Sequence, residues 1–511
     1  MSARSDAVPL FARPDAQAPM LWWRGAPLSQ AAVLAAIEAQ LRQLPRWPRP
    51  AGFLHRAAED TDAHWLNLCL GRQAFMTSFC AVLASGGTNV LASDPAPGTV
   101  ARLRTAMPGL HVLGDDRSRG DLDHVVEVAP ALSAADAMPR AGFLPSAMPT
   151  IPGELIAALP FTSGSTGEPM AHPKRFAATR LTALATEARL FADWPRYSVL
   201  ATVPSQHMYG LETTLMLALC GRALVACEHP LLPADILRTL AALPQPRVLV
   251  TTPVHLRALL RATAARGASG LPGVDRVISA TAPLAAELAA QVEQRLHCEV
   301  HEIYGCTEAG SLATRRTIDG DVWRLLDGYG LAPCDSSLAP GGSSLAPAGS
   351  SLAPNGDANA QSAVVSGPQL AVPVTLPDRI ECIDGTRFRL LGRRDDMVNI
   401  GGKRALLARL NQQLLQVEGV LDGWIHLPPE AVDGNAAQPR LQGLVVTDGR
   451  DERTVLQALA QQMDAVFLPR PLRRVPRIPR NATGKVTLAA LNALLRAPAG
   501  ATTGGDDGGA A

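Results

Sequence analysis

Between residues 155 and 304 the chain alternates short apolar runs with amphipathic stretches. Residues 198–203, 247–251, 276–280 and 299–304 have the length and aliphatic content of buried strands. Between them, 233–243, 255–265 and 285–296 carry apolar residues at helical spacing. This alternation predicts an α/β fold: a large N-terminal domain of parallel-rich sheets with flanking helices. In such sheets ligands collect where strands end and loops begin. The segments 162–167, 205–210, 280–284 and 305–308 each follow a strand, so they are expected to converge on one crevice.

The pattern changes after Gly392, where helices are expected over 404–416 and 452–467 and strands over 420–427 and 441–446. This reads as a small α+β C-terminal domain. The charge cluster 393–396 marks the boundary, giving an N-terminal domain over 1–394 and a lid over 395–496. Within 334–369, Ser-Ser-Leu-Ala-Pro recurs at 336, 343 and 350. Such a segment buries too little apolar surface to offset its ordering entropy, so it is expected to be a disordered insertion, as are the tail 497–511 and residues 1–15. The most membrane-like run, 66–91, is broken by Arg72, Gln73 and Gly86-Gly87, which predicts a buried helix and turn and no membrane span.

The chain has 511 residues, 47% of them hydrophobic, and a net charge of +1, so no nucleic-acid partner is implied. Its eight cysteines form no CxxC pair, which argues against a structural zinc or a disulfide framework. The N-terminal residues lack a basic region followed by an apolar core, and a cytoplasmic location is expected.

The chemistry concentrates in four places. Phe161-Thr-Ser-Gly-Ser-Thr-Gly-Glu-Pro169 follows an apolar run; its glycines let backbone N–H groups approach an anion and its hydroxyls add donors. Taken alone it is either a phosphate cradle or a Ser/Gly linker, and its spacing is not that of a Walker A loop. Downstream stand His301-Glu-Ile-Tyr-Gly-Cys-Thr-Glu308, then Leu391-Gly-Arg-Arg-Asp-Asp-Met-Val-Asn-Ile-Gly-Gly-Lys-Arg404, then Ile478-Pro-Arg-Asn-Ala-Thr-Gly-Lys485. In this order the four motifs resemble the adenylate-forming superfamily of acyl-CoA and aryl-CoA synthetases, nonribosomal adenylation domains and luciferases. The resemblance extends over about residues 22–495.

That resemblance implies a mobile C-terminal domain and the roles that follow. Thr162, Ser163, Gly164, Ser165, Thr166 and Gly167 would cradle the β- and γ-phosphates of ATP, Thr307 would donate to the α-phosphate, and Glu308 would hold Mg²⁺. Tyr304, beside Gly305, would stack on adenine, although an ordinary core aromatic is the alternative. Thr281, Ala282 and Pro283 occupy the family's Gly-Gly-Ala-Pro stretch with bulkier residues in front. Asp378 would take the ribose hydroxyls, with Leu-Pro replacing the family's Thr-Gly before it, and Arg393 would reach the ribose or α-phosphate. His207 would lie near the acyl carboxylate. Lys485 would steady the attacked phosphate, Asp395 would act as hinge, and the face carrying Gly401, Gly402, Lys403 and Arg404 would replace Lys485 for the thioester step.

The expected reaction is ATP-dependent activation of a carboxylic acid, then transfer to CoA or to phosphopantetheine on an acyl carrier protein. The motifs are most similar to those of stand-alone bacterial ligases of polyketide or aryl polyene pigment clusters, which implies an aryl or acyl substrate. A medium- or long-chain fatty acyl-CoA synthetase and a catalytically silent nucleotide-binding homologue are the alternatives. One departure stands out: Met170 replaces the family's usual lysine, so either Lys174, the nearest lysine, reaches the pyrophosphate or the loop relies on its hydroxyls and backbone donors.

Overall fold

The protein is described from a computed structural model covering residues 7–44, 63–92, 96–115, 125–128, 148–163, 169–264, 271–333, 363–393, 397–400, 403–428, 440–480 and 486. The chain divides into two compact units, Met1–Leu391 and Gly392–Ala511.

The first unit is built on two large sheets. One has eleven strands, six of them parallel neighbours in the order Glu299–Cys306, Arg276–Ser279, Arg247–Thr251, Tyr197–Ala201, Ala223–Ala226 and Pro19–Trp23. Val248, Leu249, Val250 and Thr251 are all buried, as expected of a central parallel strand covered on both faces. Helices Pro233–Ala242, Pro253–Thr263 and Ala286–Leu296 lie on this sheet, each within two residues of its expected span. Beyond Glu299–Cys306 the strands turn antiparallel through Gly310–Arg316 and Val322–Leu325 to Arg387–Arg393 and Asp378–Cys382.

The second sheet has seven strands, with Ile156–Ser163, Thr88–Leu91, His64–Asn67, His111–Gly114 and Val125–Glu127 parallel. Its helix Arg72–Ala84 packs into the core shared by both sheets, where Phe75 and Phe79 meet residues such as Val199 and Met216. The run 66–91 is therefore strand, buried helix, turn and strand, and no described helix is long and apolar enough to cross a membrane.

Some expectations are corrected. Residues 363–369, read as the end of a disordered insertion, contain the strand Ala363–Ser366, paired with Gly330–Pro333 and Val374–Thr375; Ala363 and Val365 are fully buried. Residues 334–362 and 497–511 lie outside the described residues. Near the N-terminus, Ala7–Pro9 pairs with Thr150–Pro152 and the apolar Leu10-Phe11 pair is buried, which anchors the stretch read as disordered.

In the second unit the helix expected over 404–416 begins later. Lys403–Leu406 pairs antiparallel with Met397–Ile400, and only Leu407–Gln416 is helical. The segment 452–467 is likewise a helix, Glu452–Leu459, followed by a separate short turn, Ala465–Phe467. Strands Val420–His426, Gln442–Thr447 and Leu472–Arg474 complete a small α+β core around Leu414, Ile425 and Val445.

Candidate nucleotide and acid site

The strand Glu299–Cys306 delivers the residues of the second motif. Tyr304 is buried, with its ring packed 5.7 Å from both Trp323 and Phe388, and its hydroxyl donates to Asp378 Oδ2 at 2.7 Å. Two residues expected to bind adenosine are thus brought together by the antiparallel edge of the large sheet. Gly305 follows under a steric demand: a Cβ there would stand 2.2 Å from the carbonyl oxygen of Gly310. The chain then turns through Thr307 and Glu308 into Gly310–Arg316.

This turn is held from the interior. Lys174, only 8% exposed, donates from Nζ to the carbonyl oxygen of Glu308 at 2.5 Å. Burial pushes the Lys174 pKa down, opposed by Glu212, Cys306 and Glu308. Glu212 lies in the π-helical turn Leu211–Met216 and accepts from Ser311 N–H at 2.9 Å and from the Ser311 hydroxyl. Its burial raises its pKa, which the Ser311 bonds and the Lys174 charge counteract. The Glu308 carboxyl is exposed. Partial burial disfavours its charge, but its own backbone N–H, the Cys306 thiol and the His172 and Lys174 charges outweigh that and hold it below the usual carboxylate range.

The next strand ends form the adjoining side. Thr281 follows Arg276–Ser279 with φ +75°, a strained value for a β-branched residue at the position where the family pattern has glycine. The loop after it is fixed by Leu284 N–H donating to Glu302 Oε1 at 3.2 Å, and Glu302 itself pairs with Arg315 Nε at 2.6 Å. His207 precedes the turn Met208–Gly210, and its carbonyl accepts from Leu211 N–H at 2.7 Å. Gly210 is sterically required, since a Cβ would stand 1.9 Å from the Pro204 carbonyl oxygen. Tyr209 is tied to two strand ends, its hydroxyl lying 2.9 Å from the carbonyl of Ile278 and 3.2 Å from that of Thr251. A small pocket opens beside this segment between Leu70, Phe75, Pro204 and His229.

Arg72 locks the two sheets together here. From the start of its helix it donates to the carbonyls of Ala201, Val203, Ala226 and Glu228 and to Ser205 Oγ, at 2.7–3.2 Å. All five donors of its guanidinium are used, so it acts as a buried strut.

Of the remaining expected residues, Thr162 and Ser163 end the strand Ile156–Ser163 and pair with Met170 and Pro169. Gly164, Ser165, Thr166 and Gly167 lie outside the described residues, as do Asp395, Gly401, Gly402 and Lys485. Ala282 and Pro283 are exposed in the loop after Thr281. Arg393 ends its strand in the sheet; Lys403 and Arg404 lie in the hairpin, where Lys403 forms an exposed ion pair with Asp464. Sequence reasoning missed Arg72, Tyr209 and Glu212. Arg72 and Glu212 are charges inside otherwise apolar runs, and that pattern is the available signal that each must find a buried partner.

The family model for AMP-binding enzymes matches residues 100–337. The 4-coumarate–CoA ligase of Halorhodospira halophila is 28% identical over 332 residues, 64% of this chain and 73% of that protein. These matches make the chain similar to AMP-binding, adenylate-forming enzymes. The fold of the chain is similar to that of o-succinylbenzoate CoA synthetase (MenE) from Bacillus subtilis, in complex with the acyl-adenylate intermediate, at a TM-score of 0.71 and 15% identity over 96% of this chain and 99% of that one. It is also similar to the anthranilate CoA ligase AuaEII, in complex with anthranoyl-AMP, at a TM-score of 0.65 and 16% identity over 94% of each chain.

Proposed function

We propose that the protein activates an aryl or acyl carboxylic acid with ATP and transfers it to the thiol of CoA or of a carrier-protein phosphopantetheine. The observation that carries this reading is the convergence of Asp378, Tyr304 and the Thr307-Glu308 turn, one strand away from the loop that follows Thr281. A carboxylate oxygen of the acid attacks the α-phosphorus of ATP, the bond from that phosphorus to the α,β-bridging oxygen breaks, and pyrophosphate leaves with the electron pair. The thiolate then attacks the acyl carbon and AMP departs with the carbonyl–oxygen bond electrons.

Asp378 accepts from the ribose hydroxyls while its other oxygen stays on Tyr304, and Thr307 donates to the α-phosphate. The exposed, ionised carboxylate of Glu308 suits a hard cation. That carboxylate is a hard oxygen donor of the kind that would hold a Mg²⁺ ion. When bound, that ion neutralises charge on the phosphates. Lys485 is assigned to the attacked phosphate and the Gly401–Arg404 face to the thioester step, with Asp395 as hinge.

The printed substrates of the relatives, 4-coumarate and anthranilate, favour an aromatic acid over a long aliphatic one. ATP–pyrophosphate exchange with hydroxycinnamates, benzoates, anthranilate and C8–C16 fatty acids tests this. Exchange with the aromatic acids is expected. Exchange confined to fatty acids overturns the aryl reading, and ATP binding without exchange on any acid overturns the ligase reading.

A further inference from the structure

The exit of the hydroxyl-rich loop lacks the lysine that its motif leads one to look for, and the cation that does stand nearby is turned inward. Lys174 belongs to the two-residue strand Lys174–Arg175, paired with the strand Ile156–Ser163 that leads into the loop. Its Nζ is spent on the backbone carbonyl of Glu308, across 134 residues of chain. Met170, at the position of the expected lysine, is 58% exposed and carries no charge.

The opposite end of the same turn is gripped by a second buried charge. Glu212 accepts from both the N–H and the hydroxyl of Ser311, and Gly310, at φ +80°, has no Cβ because one would stand 2.5 Å from Glu212 Oε1. Glu212 is 5% exposed and sits in a π-helical turn, a departure from α-helix that recurs at functional sites. Lys174 and Glu212 are buried charges of opposite sign, and each favours the charged form of the other. Lys174 bonds the Glu308 carbonyl, and Glu212 bonds the N–H and the hydroxyl of Ser311, three residues further along the turn.

We propose that Lys174 and Glu212 are positioning residues that hold the turn bearing Glu308 in register with the strand Ile156–Ser163. The inference rests on the reading of Glu308 as the Mg²⁺–ATP carboxylate. Lys174 ties that strand to the Glu308 carbonyl, and Glu212 fixes where the turn re-enters the sheet. The Lys174 ammonium therefore sets a distance rather than touching pyrophosphate.

Calorimetric titration of the full chain with ATP, once with excess Mg²⁺ and once with a chelator, tests this without turnover. Glu308→Gln is expected to weaken MgATP about tenfold and metal-free ATP less than twofold; no effect on either sinks the reading of Glu308 itself. Given that result, Lys174→Met is expected to weaken MgATP by a similar factor, spare metal-free ATP, and add under twofold in the Glu308→Gln background, as groups acting through one another do. Equal weakening of both nucleotide forms overturns the inference, because it marks direct phosphate contact. A full, additive loss in the double variant also overturns it. Should Lys174→Met fail to fold, Glu212→Gln, which keeps side-chain size and an acceptor for Ser311, is read by the same criteria.

Discussion

The hydroxyl of Tyr304 donates to Asp378 Oδ2 at 2.7 Å, although the two residues lie 74 apart in sequence. The bond fixes one carboxylate oxygen at the sheet edge. Asp378→Ala is expected to raise the KM for ATP at least tenfold, since hydrogen bonds to a charged group contribute about 1.5–3 kcal/mol each. The decisive comparison is 2′-deoxy-ATP: the wild type should discriminate against it and the variant should not. Tyr304→Phe keeps the ring packing and should cost about 1.5–3 kcal/mol of stability, measured by urea unfolding.

Arg72→Met should be among the most damaging substitutions in the first unit. It leaves four carbonyls and the Ser205 hydroxyl without this donor where the two sheets meet. Loss of one member of so buried a polar set costs about 3–5 kcal/mol, seen as a lower denaturation midpoint or as insoluble protein. Arg72→Lys should recover little, because a single ammonium cannot span carbonyls on two strands.

The strand Arg247–Thr251 is legible to the residue because its centre is an unbroken apolar run, the pattern a strand covered on both faces requires. The hairpin strand Lys403–Leu406 is not, since Lys-Arg-Ala-Leu has good helix propensity and only its pairing with Met397–Ile400 makes it extended. The same division runs through the site. Thr307 and Glu308 are readable from their motif, but whether Tyr304 stacks outward or packs inward depends on Trp323 and Phe388, which reach it through neighbouring strands. Glu212 is beyond sequence reasoning for the same reason: Ser311 lies 99 residues further on.

Stability should fall on mild acidification in a way that His255 reports. Its Nδ1 lies 3.0 Å from the Thr252 hydroxyl, and burial pulls its pKa below the usual 6.5. The unfolded chain protonates this imidazole near pH 6.5 while the folded one does not. Below that pH the unfolded state therefore binds the extra proton, and stability drops until the lower folded pKa is reached. Urea midpoints at pH 7.5 and 5.5 should differ less in His255→Gln than in the wild type; an identical difference would show that His255 contributes nothing. The slope from one such group cannot exceed about 1.4 kcal/mol per pH unit.

The two half-reactions should separate at Lys485. If its ammonium serves the attacked phosphate, Lys485→Ala removes a preorganised positive charge from the first step and should slow ATP–pyrophosphate exchange about 10²–10³-fold. The second step needs no charge on an α-phosphate under attack, because AMP is already the leaving group. Supplying the chemically made acyl-adenylate with CoA should therefore restore thioester formation to within a few-fold of the wild type, read as released AMP. Gly402→Leu should do the reverse: a branched side chain on the thiol-side face leaves exchange intact and blocks thioester formation. Equal loss of both half-reactions in Lys485→Ala would place that lysine in general nucleotide binding and remove the basis for a domain exchange between the steps.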